Sequence, residues 1–288
     1  MRLAKAILAT SIMTATLLVA LTAAGAAQEA SADATAGATV DATAGATWQA
    51  LKPDVFGERP VFDAGTLVTL SAPVRAEDAA MVPVEVAVTL PPGDARTIQK
   101  LTLIVDENPA PVAATFTFGG DRRDLALATR LRVNSYSYIR AVAQLSDGSL
   151  QMTQRFVKAS GGCSAPAMKD EEAALKNIGQ MKLRLVQPGQ LGDATKASRF
   201  ARVQLMIRHP NYSGLQMDQV TRLYIPAKYV DHIEVKQGDA LILSMEGGIS
   251  LSEDPNLQFS FEPTGQQIHV DAGDTDGRAF EGALQPAG

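Results

Sequence analysis

Apolar residues alternate with polar or small residues in many short runs of this chain, and each run ends at a turn rich in glycine, proline or aspartate. In the run MVPVEVAVTL, for example, Val82, Val84, Val86 and Val88 alternate with other residues. A period of two is typical of a β-strand with one buried face. Because no long helical stripe accompanies these runs, the pattern predicts an antiparallel β-sandwich.

The strand-like runs fall into two groups, and each has the length of a modest domain. The first group covers residues 48–158 and contains a hairpin turn at Asp147-Gly148. The second group covers residues 182–284, where Phe259 alternates with Phe261 as on a half-buried strand. The sequence therefore predicts an all-β protein with two β-sandwich domains.

A segment of different composition, residues 159–181, joins the two groups. It begins with Gly161-Gly162-Cys163 and continues into a run that favours a short helix, with Pro166 near its start and Gly179 at its end. A helix of this length is marginal alone and must pack against other residues. We expect a glycine-rich arm followed by a helical linker.

The N-terminal residues have the pattern of a secretory signal peptide. A short basic start precedes the apolar run 6–21, and small residues follow at Ala24-Gly25-Ala26. The same run could also form a buried helix or an uncleaved anchor, but it is short for a membrane span and threonines interrupt it. We expect residues 1–27 to be removed on export and the mature protein to be soluble in the periplasm.

Residues 28–47 contain an eight-residue tandem repeat, in which DATAGATV is followed by DATAGATW. Such small side chains bury too little apolar surface to offset the entropy lost on ordering. We interpret this stretch as a disordered tether, with folded material beginning at Trp48.

Charge and composition exclude several classes of partner. The chain has 26 basic and 31 acidic residues and no basic run. This mild acidic balance favours solubility and argues against a nucleic-acid partner. After removal of the leader, no segment reaches the length of a membrane span, so we expect no membrane partner.

The remaining charged and metal-binding residue types form no recognised motif. His209, His232 and His269 are far apart in sequence and match no metal-site spacing. The run DAGDTDG lacks the full ligand set of a calcium loop, so we expect it to form a turn. The run Asp170-Glu171-Glu172 is typical of a solvated face. We therefore predict no metal and no cofactor.

Several stretches together resemble SoxYZ, the sulfur carrier of thiosulfate oxidation, with its two subunits fused. The SoxY-like stretches are Trp48, FGERP, SAPVRAEDAAMVPVEV and the terminal Gly161-Gly162-Cys163. The SoxZ-like stretches are RHPNYSGL, IPAKYV, SEDPNLQFSF and DTDG. The chain looks most like the fused carriers associated with quinoprotein alcohol dehydrogenases. His209, within RHPNYSGL, is then a structural residue or, second, a docking residue.

The resemblance implies immunoglobulin-like sandwiches in both halves and a role for the single cysteine. Cys163 would carry sulfur intermediates as covalent adducts, and Gly161 and Gly162 would make the arm flexible enough to enter partner clefts. The thiolate is the nucleophile in such chemistry. The alternative is a buried cysteine that acts as a small hydrophobic residue.

Two features depart from the family pattern. The arm of this family usually ends Gly-Gly-Cys-Gly-Gly, whereas Ser164, Ala165 and Pro166 follow the cysteine here. The arm is also anchored at both ends and can only bulge outward as a loop. Both changes reduce its reach and bring a thiosulfate-derived cargo into question.

We therefore expect a periplasmic covalent carrier without enzymatic activity of its own, whose partners are redox enzymes. The alternative is a docking module for a quinoprotein dehydrogenase or its cytochrome, with an incidental thiol. A thiol-redox protein is a third hypothesis, disfavoured because no second cysteine exists to resolve an oxidised thiol. The carrier hypothesis predicts that Cys163 is solvent-accessible, reacts readily in the folded protein and forms some disulfide-linked homodimer.

Overall fold

The computed structural model describes residues 45–166, 176–186 and 200–285. The predicted signal peptide, the repeat up to residue 44 and the acidic run Asp170-Glu171-Glu172 lie outside these residues. Most of the predicted linker helix does as well, although residue 176 is helical and residues 177–179 form the turn that follows it. Gly179 has a φ of 80°, which suits a residue placed just after a helix.

The described part of the chain consists mainly of β-strands, as predicted. The first half contributes eight strands: β1 (Val61–Asp63), β2 (Val68–Ser71), β3 (Val82–Thr89), β4 (Ile98–Val105), β5 (Val112–Phe118), β6 (Asp124–Leu131), β7 (Ser137–Leu145) and β8 (Leu150–Val157). The second half contributes seven: β9 (Met181–Val186), β10 (Ala201–Ile207), β11 (Val230–Gln237), β12 (Ala240–Gly247), β13 (Asn256–Phe261), β14 (Ile268–Asp274) and β15 (Ala279–Leu284).

The predicted alternation is confirmed in strands that carried the prediction, whereas β4, β7 and β8 do not alternate regularly. In β3 the four valines are buried while the residues between them are exposed or half-buried. Phe259 and Phe261 in β13 are buried, as are Ile268 and Val270 in β14. The run DAGDTDG ends in the predicted turn: its first four residues complete β14, and Thr275-Asp276-Gly277 lead to β15.

The two halves share both layers of the sandwich. Within the described residues, one sheet has the order β1-β8-β7-β4-β5-β12-β11-β14-β15 and the other has the order β2-β3-β6-β13-β10-β9. β5 pairs with β12 and β6 pairs with β13, so main-chain hydrogen bonds cross from one half to the other in both layers. A continuous hydrophobic core lies between the sheets and includes residues of both halves. The halves therefore meet along an interface of paired strands and packed side chains, beyond the linker predicted from the sequence.

A helix at residues 45–56 is a feature that the sequence patterns do not predict. Trp48 and Phe56 on this helix are buried against Ile104, Val142 and Leu150. The indole ring of Trp48 also lies under the guanidinium of Arg140, with 4.4 Å between Cζ and the ring centroid. A contact of this kind stabilises by about 1 kcal/mol. The helix is short and contains Pro53, a residue that sequence patterns associate with the end of a helix.

Candidate functional site

The only cysteine lies in a segment that runs along the junction of the two halves. We call residues 159–166 the cysteine segment. It follows β8 and is held by main-chain hydrogen bonds from Gly161 N to Asn134 O, 2.8 Å, and from Gly162 N to Val133 O, 3.0 Å. A bond from Ser164 N to Gly161 O then closes a tight turn around Cys163. The segment is thus docked onto the protein along its backbone.

The two glycines are required by this docked conformation. Gly161 has a φ of 80°, a left-handed conformation that glycine adopts without strain. At Gly162 an added Cβ would lie 2.1 Å from Ala79 O and 2.7 Å from Val133 O, which is a severe clash with main chain on two sides. The expectation that these glycines make an arm flexible is therefore incomplete, because in this conformation they allow close packing.

The expectation that Cys163 is solvent-accessible is wrong for this conformation. Its exposed fraction is 0%, although Ser164 beside it is exposed. The turn at residues 161–164 points the cysteine side chain into the protein. A disulfide-linked homodimer through Cys163 and rapid labelling of the thiol are therefore incompatible with the docked segment.

The second half holds the segment through the loop that contains RHPNYSGL. The hydroxyl of Ser213 donates a hydrogen bond to the carbonyl oxygen of Cys163. Gln216 Nε2 donates another to Ala165 O at 3.0 Å. Ser213 and Gln216 are both buried. Two stretches that carried the family resemblance in separate halves of the sequence are therefore in direct contact.

A buried arginine links the first half, the second half and the cysteine segment. Arg132 follows β6 and is 1% exposed. Its Nη1 donates to Gly162 O at 3.1 Å, and its Nη2 donates to Asn211 O at 3.3 Å. Charged donors form stronger hydrogen bonds than neutral ones. Arg132 therefore fixes both the cysteine segment and the loop that covers it.

The side chain of Asn108 and the main chain of Ser250 fix the backbone of Arg132 itself. Asn108 Nδ2 donates to Arg132 O at 2.7 Å and to Ser250 Oγ at 2.8 Å. The amide of Arg132 donates to Ser250 O at 2.8 Å. Since Asn108 belongs to the first half and Ser250 to the second, this network aligns the two halves at the site.

Burial and charge act on the thiol in opposite directions. Burial raises the pKa of Cys163 to about 11, and the nearby Arg132 guanidinium only partly offsets this effect. Burial also lowers the pKa of Arg132, which the charges of Cys163, Glu253 and Asp78 oppose. In the docked conformation the thiol is therefore protonated at neutral pH and is a poor nucleophile.

His209 is placed as a structural residue. Its ring is buried, with Nε2 3.3 Å from Asp274 Oδ2, and Nδ1 accepts a hydrogen bond from Asn211 N at 3.0 Å. Because Nδ1 accepts, the proton of the neutral ring lies on Nε2 and is donated to Asp274. Burial lowers the pKa of His209 despite the Asp274 carboxylate. His209 therefore holds the covering loop in place and keeps its ring neutral.

The structure does not bring the three histidines together. His232 contacts Asp231, and His269 contacts Asp271, both at the surface. Among the described residues no group of three or more histidine, cysteine or acidic residues is arranged to hold a metal ion. Nor is any helix in that part of the chain long and apolar enough to cross a membrane.

Exposed apolar side chains lie close to the site along the chain. They follow Gln216, in a short hairpin closed by a bridge between Met217 and Tyr224. Val220 is 89% exposed, and Leu223 and Tyr224 are also exposed. Apolar side chains grouped at a surface commonly mark an interaction site.

Three residues of the site, Arg132, Asn211 and Ser213, are not predicted from the sequence. Arg132 lies between Leu131 and Val133, and strand alternation predicts that it points to solvent. All three are buried, because the backbone leaves the regular strand at the end of β6 and the second half covers this region. The sequence did contain one signal, the polar stretch RHPNYSGL, which resembles the SoxZ pattern. The resemblance does not indicate which residues this stretch contacts.

Comparisons with known proteins agree with the two-part organisation. Residues 52–163 match the family model "Sulfur oxidation protein SoxY", and residues 191–285 match "Sulphur oxidation protein SoxZ". The SoxY match ends at Cys163. No curated protein sequence matches the chain significantly.

Two solved structures illustrate the structural neighbours. The sulfur carrier protein SoxY from Chlorobium limicola f thiosulfatophilum is 25% identical and aligns with 40% of this chain and 96% of its own, with a TM-score of 0.31. A superoxide reductase (neelaredoxin) from Ignicoccus hospitalis is 17% identical over 32% of this chain and 78% of its own, with a TM-score of 0.27. At these TM-scores neither structure bears on function. The two family models together cover most of the chain, which therefore belongs to the SoxYZ sulfur carriers, with the SoxY and SoxZ parts in one polypeptide.

Proposed function

We propose that this protein is a periplasmic covalent carrier that presents a sulfur intermediate on Cys163 to redox partner enzymes. The observation that carries the proposal is the docking of the Gly161-Gly162-Cys163 stretch between the halves, held by Arg132 of the SoxY-type half and Ser213 of the SoxZ-type half. A cysteine that served only as core packing would not need two glycines, a buried guanidinium and contacts from both halves.

The carrier alternates between a docked and an undocked segment. In the docked segment the thiol is buried and protonated, which protects it from oxidants of the periplasm. Undocking breaks a small number of hydrogen bonds, and Ser164 at the end of the turn already faces solvent. Local openings of this kind cost less than global unfolding. Once in water, the thiol regains an ordinary pKa and becomes a nucleophile.

The loading reaction is an oxidation of the thiol that a partner must accept. With thiosulfate as the sulfur source, the sulfur of Cys163 bonds to the outer sulfur of thiosulfate and gives Cys163–S–S–SO₃⁻. One proton and two electrons leave, and the electrons pass to a redox partner. The carrier supplies only the thiol and its delivery, so no catalytic residue is assigned to it.

The exposed hairpin around Val220 and Leu223 is the surface we assign to these partners. It continues from Gln216, which donates to Ala165 O in the cysteine segment. An enzyme seated on this hairpin would meet the segment as it undocks. We infer export by the N-terminal leader, because thiol-loading partners of this kind act in the periplasm.

A second candidate is a docking module for a quinoprotein alcohol dehydrogenase or its cytochrome, with an incidental thiol. The complete burial of Cys163 favours this docking module over a thiol-redox protein, because the cysteine of a thiol-redox protein must contact its oxidant. In that case the hairpin would bind its partner equally well in Cys163→Ala.

Intact-mass spectrometry of folded protein treated with tetrathionate tests the carrier. Tetrathionate supplies its own oxidising equivalents, so no enzyme is required. The proposal predicts one adduct per chain without denaturant, and none in Cys163→Ala. A wild-type chain that is modified only when it unfolds globally would contradict carriage and leave the docking module.

A further inference from the structure

Two of the buried hydrogen-bond donors that have no partner among the described residues lie in the group that contacts the cysteine segment. They are Arg132 Nε and Asn211 Nδ2. Arg132 is 1% exposed and Asn211 is 0% exposed. A buried donor without a partner loses its bond to water without a replacement, so two in one place call for an explanation.

The two donors belong to one connected group that reaches the cysteine segment. Arg132 Nη2 bonds to the carbonyl of Asn211, and Arg132 Nη1 bonds to the carbonyl of Gly162, the residue before Cys163. The other polar atom of the Asn211 side chain, Oδ1, is already used by Val230 N at 3.1 Å. The two polar atoms that remain free, Arg132 Nε and Asn211 Nδ2, are therefore both hydrogen-bond donors, and Arg132 is also a cation.

The positive charge of this group is balanced only from a distance. The charges of Asp78 and Glu253 act on Arg132 through space, and the hydrogen bonds that Arg132 donates within the described part of the chain go to main-chain carbonyls. Arg132 thus differs from Arg140, which is buried in the same half and forms a 2.6 Å ion pair with Asp106. A buried cation without a bonded counter-ion favours an anion at the site.

We propose that Arg132 and Asn211 form a receiving site for an anionic sulfur group attached to Cys163, such as the terminal sulfonate of Cys163–S–S–SO₃⁻. This inference rests on the proposed carrier function and extends it to the loaded state. Free donors and positive charge suit a sulfonate, whose oxygens are all acceptors. The loaded segment docks back onto the junction, and the adduct is held there between partners.

If this site binds a sulfonate, the charge of the group attached to Cys163 should affect stability more than its size. Tetrathionate converts the thiol to Cys163–S–S–SO₃⁻: the Cys163 thiolate attacks an inner sulfur, a new S–S bond forms, and thiosulfate leaves. Methyl methanethiosulfonate converts it to the neutral Cys163–S–S–CH₃ and releases methanesulfinate. The methyl adduct is the smaller, so sterics alone would favour it.

The experiment compares the urea midpoints of unfolding of these two adducts. We expect the sulfonate adduct to unfold at higher urea than the methyl adduct, and this advantage to fall at higher salt. Equal midpoints, or a more stable methyl adduct, would overturn the proposal.

The matched variant is Asn211→Asp, which keeps the shape and the acceptor for Val230 N but replaces the free donor with an acceptor. We expect the unloaded variant to be at least as stable as wild type, because the new carboxylate lies near Arg132. The advantage of the sulfonate adduct should be lost. An undiminished advantage in Asn211→Asp would contradict the assignment of this residue.

Failure of the inference can be told from failure of the carrier function. If the folded protein cannot be loaded, both adducts can be installed in urea and the chain refolded. If only the methyl adduct refolds, or if neither adduct refolds, a receiving site is excluded. A chain that loads in the folded state but shows no charge preference keeps the carrier function and loses the receiving site.

Discussion

The hydroxyl of Ser213, in the SoxZ-type half, donates a hydrogen bond to the main-chain carbonyl of Cys163, at the end of the SoxY-type half. The contact joins two residues 50 positions apart in sequence. It shows that the SoxZ-type half does more than pair strands with its neighbour, because it also holds the segment that contains the cysteine.

Loss of the Ser213 hydroxyl should favour the undocked segment. A hydrogen bond contributes about 1 kcal/mol net, so Ser213→Ala should raise the rate of Cys163 labelling about five-fold. The measurement is the reaction with a chromogenic disulfide reagent under native conditions. Ser164→Ala is the control, since Ser164 is exposed. Equal rates in wild type and Ser213→Ala would show that this contact does not restrain the segment.

A methyl group at residue 162 should prevent docking altogether. The Cβ of Gly162→Ala would lie 2.1 Å from Ala79 O, so the segment must leave its place while the strands remain paired. We expect Cys163 in this variant to react at nearly the rate of an exposed thiol, with an unchanged far-ultraviolet circular dichroism spectrum. Gly93→Ala is the control, because Gly93 has a φ of 84° but no neighbour within 4 Å of the added Cβ. A slow thiol in folded Gly162→Ala would contradict the docked geometry.

The sandwich could be predicted from the sequence because strand alternation is local. The valines of β3 and the paired phenylalanines of β13 reveal their buried face within a few residues. The pairing of β5 with β12 could not be predicted, since it joins strands from different halves and no local pattern specifies which edges meet.

The candidate site could be located from the sequence but its state could not. The sequence predicts a flexible arm at Gly161-Gly162-Cys163, whereas in the structure Gly161 has a positive φ and Gly162 is closely packed. Glycine serves flexibility and close packing equally well, so its presence does not distinguish an exposed arm from a docked one. The distinction depends on Ser213 and Arg132, which are distant in sequence.

The stability of the protein should fall at alkaline pH through Cys163. Its pKa is raised from 9.0 to about 11 by burial, so the stability gained by keeping the thiol neutral is fully present below pH 9. It is lost as pH rises towards 11, by up to about 3 kcal/mol. The measurement is the difference in the free energy of unfolding between wild type and Cys163→Ala at pH 8 and above pH 11. A difference that does not change with pH would contradict a buried thiol.

Alanine is a better replacement than serine for these tests. A serine at residue 163 would place a hydroxyl in a fully buried position, and an unpartnered hydroxyl costs about 1–3 kcal/mol. Because Cys163 is buried, Cys163→Ser should destabilise the fold, whereas Cys163→Ala adds no polar atom there.

Acid should destabilise the loop that covers the cysteine through His209. Burial lowers its pKa from 6.5, so its contribution to stability is fully present above pH 6.5 and is lost as pH falls through the folded pKa. We expect wild type to lose more stability than His209→Gln between about pH 7 and pH 5. Urea unfolding of both proteins at the two pH values measures this, and parallel losses would contradict it.

The central claim is that Cys163 is a carrier thiol held in a segment that undocks without unfolding of the protein. The most direct measurement is the rate of Cys163 labelling at increasing urea concentrations below the unfolding transition. The account predicts a rate well below that of a free thiol, nearly independent of urea at low concentrations, since a local opening exposes little surface. A rate that rises from the lowest urea concentrations with the full slope of global unfolding would show that Cys163 is an ordinary core residue, and would contradict the account.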